Sequence, residues 1–561
     1  MYEDQTYENI LDRSLARVAS DVDKREGSVI MNAIAPVSAE HADVYIQLGN
    51  IVNNGYADTA VREFLILRCK ERGIIPYEAT KATLKGKFNM EIPIGSRFNL
   101  NELNYVATAF IESADGYFYY QMECETEGTN GNKFFGELSS IEYIDKDLTG
   151  ELTELLIPAE DEEDTEALRT RYLNSFDSNL TNEGVMVAYR GETGYSEAGA
   201  TSATITKGTT EYPSGTKVQT MVEQPLFYTK VVPVKSSVSS SGRGKKYDKA
   251  RFYISPTPKA GFKPVDGFLD DNGILQDKIY LSAFEGSIFD TSAGAYLKAD
   301  EQVADFATDM LSSIAGVKPA SGLTQNLTRA NVRKLCTNRG KGWKSHNIFA
   351  LTATQWLILV EYASMNAQSV IGQGVSTFTD DGSTNMAVVT GATSGLGNGS
   401  GIDPNAGVDG KCSVSYRGEE NLWGNIWTWL DAINIYNDKA SGVYNAFVKP
   451  YGECKDDTTA DGYKALDFNI ATGEGYISGF GYDEDHPDLF LCAEHNGASN
   501  LPVGDYYWNN NDGFRVARLG GRWSNGARCG AWCLYLSTAS SDRYRVIGGR
   551  LLYVPQTKIS A

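Results

Sequence analysis

Between Asp505 and Leu551 the sequence crowds together aromatic rings, guanidinium groups and carboxamides, the side chains with which proteins hold other molecules. Tyr506, Tyr507, Trp508, Asn509, Asn510, Asn511, Arg518, Arg522, Asn525, Arg528, Trp532, Asp542, Arg543 and Tyr544 stand there among glycines. Tyr and Trp give large contact area for little lost conformational entropy, while Arg and Asn give directional hydrogen bonds. Any one of them would pass for ordinary surface; their density marks a ligand-binding face. Residues 505–550 hold seven arginines and three aspartates, a local excess of basic charge in a chain of formal net charge -21. That contrast implies anionic groups on the target, as on an acidic wall polymer or an acidic protein patch.

The same segment carries thiols at Cys529 and Cys533, close enough to bridge, although a reducing cytosol would keep them apart. The eight cysteines contain no CxxC pair and, with four histidines, do not suit a zinc site. Most read as buried thiols. No catalytic residue, metal or cofactor is expected.

The elements that must present this face follow from the distribution of tryptophan. All eight lie beyond residue 340, so the C-terminal part is a separate folding unit with its own aromatic core. Trp427 and Trp429 alternate as on a strand beside Gly424, which permits close backbone approach, and their expected role is core packing. Helices are predicted over Asn326–Leu335 and Thr352–Met365, and Gly391–Lys411 as loop.

Further upstream, Tyr7, Ile10, Leu11, Leu15 and Val18 fall on one helix face. A second helix carries Ile34, Val37, Val44, Tyr45, Leu48 and Ile51, and a third runs from a cap near Asp58 or Thr59 to Gly73. From Ala82 the period becomes two, predicting strands at Thr83–Phe88, Tyr105–Phe110 and Tyr117–Cys124. Acidic residues 160–164 precede a short helix, Thr165–Phe176. Residues 183–220 read as β-rich connector and Lys235–Lys246 as a flexible basic loop.

Residues 1–182 hold 33 acidic against 16 basic side chains, and the remainder 39 against 35. So acidic an N-terminal part excludes nucleic-acid binding there and leaves docking against protein subunits open. No apolar run is long enough to span a bilayer, and Met1–Gln5 lacks a signal-peptide core. The chain is expected to act where it is made or to leave by lysis.

The segments Asp21–Ser28, Ala57–Ala60, Glu71–Ile74, Ile92–Phe98 and Pro158–Arg169, in this order and spacing, resemble the baseplate J-like family of contractile phage tails. The resemblance covers about residues 1–180 and implies a wedge component of the baseplate, present in several copies and contacting other tail subunits. After Asn182 the chain departs from that family.

In the C-terminal part, Arg339–Trp343, Gln355–Ala363 and Leu422–Trp429 resemble, in order, the C-type-lectin-like fold shared by formylglycine-generating enzymes and the variable proteins of diversity-generating retroelements. The stretch Asp505–Leu551 resembles the variable repeat of retroelement-diversified receptor-binding proteins. That resemblance implies a scaffold of Gly520, Gly521, Trp523, Gly526, Gly530, Gly548, Gly549 and Arg550 with replaceable residues between.

Three rivals follow. The enzyme branch would use a cysteine pair near the chain end to hold copper, but the flanks and spacing of Cys529 and Cys533 depart from its motif. Calcium-dependent sugar binding lacks converging carboxylates, since only Trp508–Asn510 faintly resembles the calcium-lectin strand. A purely structural tail protein would bury the 505–550 face against a neighbour.

The expected architecture is α+β and multi-domain: residues 1–182 a helical and β docking domain, 183–220 a connector, and 221–561 a C-type-lectin-like domain. The expected function is receptor binding by a virion tail protein assembled in the host cytoplasm. A host cell-surface protein or glycan is the partner of 505–550, and a homo-oligomer is expected within the particle, with no membrane insertion.

Overall fold

Lys81–Phe88 turns Ala82, Leu84, Gly86 and Phe88 inward and the residues between them outward, the pattern of a half-buried strand. It pairs antiparallel with Tyr117–Glu127 on one side and Gly150–Ile157 on the other. Leu103–Ala114, Arg97–Leu100 and two short flanking strands complete a seven-stranded sheet over a core that includes Leu84, Phe98, Tyr105 and Met122. The computed structural model describes residues 2–557 apart from 3, 55–58, 72–75, 77, 175–176, 240–241, 298–302 and 403–406. Two compact units are present, Met1–Leu173 and Asn174–Ala561.

The first unit also carries the helices Tyr7–Ala16, Val29–Asn54 and Arg62–Glu71. Thr6 caps the first by accepting from the Asn9 amide at 3.3 Å. The predicted cap at Asp58, stop at Gly73 and helix end at Phe176 lie outside the described residues. Val29–Asn54 departs from the expected packing: Ser38 and Ala42 are buried, but Val29, Val37, Val44, Leu48 and Ile51 stand 37–84% exposed. At helical spacing these five occupy an arc of about 100°, an apolar stripe of the kind that usually meets a partner.

The whole molecule is β-rich, with 18% helix, so the α+β expectation holds only in a β-dominated form. In the second unit, Asp177–Thr181 pairs with Val218–Pro225, which pairs with Lys278–Ser282, which in turn pairs with Leu551–Tyr553. The expected boundary at 182 and the expected connector over 183–220 are therefore displaced. Strands on both sides of that stretch belong to one six-stranded sheet, and Val187, Ala188, Ile205 and Val218 form a small core of their own. The predicted flexible loop over Lys235–Lys246 is strand at both its ends: Tyr228–Val238 and Lys245–Ser255 form a long antiparallel hairpin.

Ile348–Tyr362 is buried nearly all round, capped by Asn347, whose Oδ1 accepts from the amides of Phe349 and Ala350, and ended by Ala363 in the left-handed region. Trp427–Asp438 is buried on both faces and forms the middle of the largest sheet. Its neighbours there include Gly513–Leu519, which pairs with Leu534–Thr538, and Tyr506–Asn509 lies beyond. All eight tryptophans are at most 8% exposed. Gly424, at φ 77°, has room for no Cβ because Val375 O would lie 2.7 Å away.

Candidate functional site

Arg518 leaves the Gly513–Leu519 strand on its outward side, directly opposite Tyr535 of Leu534–Thr538. Its guanidinium carbon lies 3.9 Å from the Tyr535 ring centre and 4.9 Å from that of Trp427, so a cation is stacked on two aromatic faces. Burial pushes the Arg518 group down to about 10, which leaves it charged at neutral pH. Around it opens a cleft of about 500 Å³ lined by Leu323, Asn511, Arg518, Arg522, Tyr535, Ser537, Thr538, Asp542, Arg543, Tyr544, Arg545 and Val546. Six of the fourteen predicted binding residues meet here: Asn511, Arg518, Arg522, Asp542, Arg543 and Tyr544.

Local hydrogen bonds hold the walls. Asn511 Nδ2 donates to Ser537 O at 2.8 Å, the Ala539 amide donates to Asp542 Oδ2 at 3.0 Å, and the Arg522 amide donates to Asn525 Oδ1 at 3.1 Å. Arg522 and Arg545 both face Asp380, at 3.4 and 2.5 Å. Part of the local positive charge is thereby neutralised by a distant loop. Tyr544 is half exposed at the rim.

Four predicted contacts are corrected. Tyr507 is fully buried and donates its hydroxyl to Ala471 O at 2.8 Å. Asn509 is buried, receiving a bond from Asn437 at 2.5 Å and donating to Ala471 O at 2.9 Å. Trp508 packs against Tyr506, Tyr535 and Trp427 beneath the surface, and Trp532 is fully buried against Phe490. Tyr507, Trp508 and Asn509 lie in a strand covered on both faces and Trp532 in a buried turn, so residue type alone misassigned them. Tyr506, Asn510, Asn525 and Arg528 remain at the surface outside the cleft lining, with Arg528 stacked 4.8 Å over Tyr506.

Tyr535, Ser537, Thr538 and Arg545 were missed, although Tyr535 between Leu534 and Leu536 carries the alternation that would have found it. Leu323, some two hundred residues away in sequence, gave no signal. Two of the scaffold glycines sit where side chains cannot: a Cβ on Gly521 would meet Cys529 Sγ at 2.4 Å, and one on Gly530, at φ 149°, both Asp505 carboxylate oxygens at 2.1 Å. Cys529 and Cys533 are buried and unbridged, and burial raises both thiols, Cys529 to about 12. Among the described residues no group of three or more His, Cys, Asp or Glu gathers to hold a metal. A larger cleft of about 610 Å³, lined in part by Gly340–Ser345, takes nothing from 505–550, and its Arg333 and Lys344 are paired with Asp431 and Asp271.

Concave, aromatic-floored and basic, the smaller cleft has a shape and lining that suit a ligand. No family model matches the chain. Over its N-terminal third it is 45% identical to "Uncharacterized protein YqbT" and 42% identical to "Phage-like element PBSX protein XkdT", both of Bacillus subtilis (strain 168). Each match extends over 176 residues, 31% of this chain and 48% of the relative, so the chain spans about half the length of the curated relatives it matches. Among solved structures, the U1 variant of Major Tropism Determinant aligns with 67% of this chain and 71% of its own, at 12% identity and TM-score 0.24. The P3c variant aligns with 82% and 83%, at 12% identity and TM-score 0.23.

Proposed function

We propose that this chain is the adhesin of a phage-type contractile tail or tail-like particle. It docks on baseplate subunits through its first unit, residues 1–173, and binds a cell-surface ligand through the cleft around Arg518, without catalysis and without a cofactor. The observation that carries the reading is the convergence of Asn511, Arg518, Arg522, Asp542, Arg543 and Tyr544 on one open, basic, aromatic-floored cleft. The N-terminal likeness to a protein titled as part of a phage-like element supports the particle context.

Asn511, Arg543 and Tyr544 line the cleft and are exposed, so their joint replacement by alanine should leave the fold intact. Particles carrying the triple variant should assemble in normal numbers and lose adsorption to target cells in a sedimentation assay. Failure of assembly would instead make the face a contact between tail subunits.

Docking has its own test. The apolar stripe Val29, Val37, Val44, Leu48 and Ile51 is the surface we assign to a neighbouring baseplate subunit, since exposed apolar area of this kind is otherwise a liability. Val44→Asp with Leu48→Asp should leave the melting of the isolated chain unchanged while excluding it from particles, as read by immunoblot of purified tails. Incorporation at the normal level would place the docking surface elsewhere.

A further inference from the structure

Arg518 is built into the cleft in an unusual way. Among the described residues no carboxylate lies within 4.0 Å of its guanidinium, whereas Arg522 and Arg545 share Asp380. Its Nε is buried without a hydrogen-bond partner, and so is Thr538 Oγ1 on the same wall. Stacking on Tyr535 and Trp427 fixes the plane of the guanidinium and leaves its donor edge uncommitted. A charged fork held in one plane suits a carboxylate or phosphate. Arg543 stands exposed at the rim, and Asp542, the acidic group of the lining, already accepts from the Ala539 amide with one oxygen.

The remaining lining is that of a sugar site. Ser537, Thr538 and Asn511 bring hydroxyls and a carboxamide, and Tyr544 offers a half-exposed ring on which the apolar face of a pyranose can lie. A folded protein partner needs a broad contact, about 800 Å² per side, whereas a single concave pit fits one small unit.

We propose that the cleft receives an anionic sugar unit of a cell-surface glycopolymer, its carboxylate or phosphate held by Arg518 and Arg543. This rests on the cleft being the receptor-binding site.

The test is calorimetric titration of the full chain with hyaluronan fragments, which carry carboxylates, with phosphomannan, which carries phosphates, and with neutral dextran. One of the acidic polymers should bind, more weakly in high salt, and dextran should not; which one binds identifies the anion. Arg518→Gln should weaken that binding by about 10-fold or more, and Arg543→Gln, at the surface where folding is not at stake, by several-fold. Binding of neither acidic polymer, equal binding of dextran, or full affinity in both variants overturns the inference. If cells still adsorb the particle through the cleft but acidic polymers do not compete, the cleft takes a protein receptor and only the sugar assignment fails. If the chain binds neither cells nor polymers, both readings fail.

Discussion

Replacing Arg550 with methionine is expected to lower stability by about 3–5 kcal/mol, read from the midpoint of denaturant unfolding. The buried guanidinium donates to the carbonyls of Glu420 at 2.6 Å, Ser282 at 2.7 Å, and Asn421 and Ala283 at 3.4 Å. It thereby ties the strand ending at Ser282 to the short strand Glu419–Glu420 and the Asn421 that follows it. Three carboxyls are buried around it: burial pushes Glu285 up to about 8 and Glu419 up to about 7, and raises Glu420, while Arg550 pulls all three back. Glu285 and Glu419 keep protons in the fold that the unfolded chain releases from about 4.5, so their contribution to stability falls as pH rises toward 8. Without the cation both carboxyls rise further and the decline extends to higher pH. Lysine at this position replaces the charge but not the planar fork, and should recover part of the loss. An Arg550→Met chain as stable as the parent at both about pH 6 and about pH 9 would refute this account.

Asp431→Ala should be comparably severe, about 3–5 kcal/mol, because it strips two arginines of a shared buried partner. Arg333 meets the Asp431 carboxylate through two bonds of 2.7 and 2.8 Å, and Arg329, fully buried, lies 4.0 Å away while also bonding Asn434 and Ile433 O; Asp456 serves both arginines, at 2.9 Å from Arg333 and 2.6 Å from Arg329, so without Asp431 two guanidinium groups share one carboxylate. Burial alone would raise the Asp431 carboxyl, but Arg333 outweighs it and holds the group down at about 2. The folded group is thus ionised where the unfolded one, near 3.8, begins to protonate. Its contribution, on the order of 2 kcal/mol, is complete above the unfolded value and is lost as pH falls toward 2. The acid limb of the stability profile should flatten in the variant. Removing Arg333 and Asp431 together, as Arg333→Met with Asp431→Leu, should cost much less than Asp431→Ala alone, since it leaves Arg329 matched one to one with Asp456 instead of two buried guanidinium groups sharing that carboxylate. Equal losses in the two would mean that the pairing is not what the site contributes.

Sequence patterning was informative wherever one face of an element is buried and the other is wet. Lys81–Phe88 shows its inward set at every second residue; Trp427 and Trp429 do lie in the core, but Thr428 between them is buried too, so their alternation did not mark two faces. Patterning lost its power where both faces are covered or both are wet. Tyr507, Trp508 and Asn509 are consecutive and all buried, so neither alternation nor residue type could separate them from Tyr506, which reaches the surface. The hairpin Tyr228–Ser255 is wet along much of its length, and its Ser, Gly and Lys content imitates a linker. In the helix Val29–Asn54 the apolar positions were found correctly, but periodicity carries no information on whether such a stripe meets the chain's own core or another molecule. Of the cleft, the side chains of 505–550 could be read locally; Leu323 and the Asp380 that restrains Arg522 and Arg545 come from parts of the chain brought in only by folding.

Leu551–Tyr553 lies between Trp343–Ser345 and Lys278–Ser282 in the six-stranded sheet. A ribosome must therefore have translated past residue 553 before that sheet can close around its last interior strand. A product truncated within the cleft-forming segment lacks this closure, so the cleft is conditional on read-through of the whole segment that encodes it.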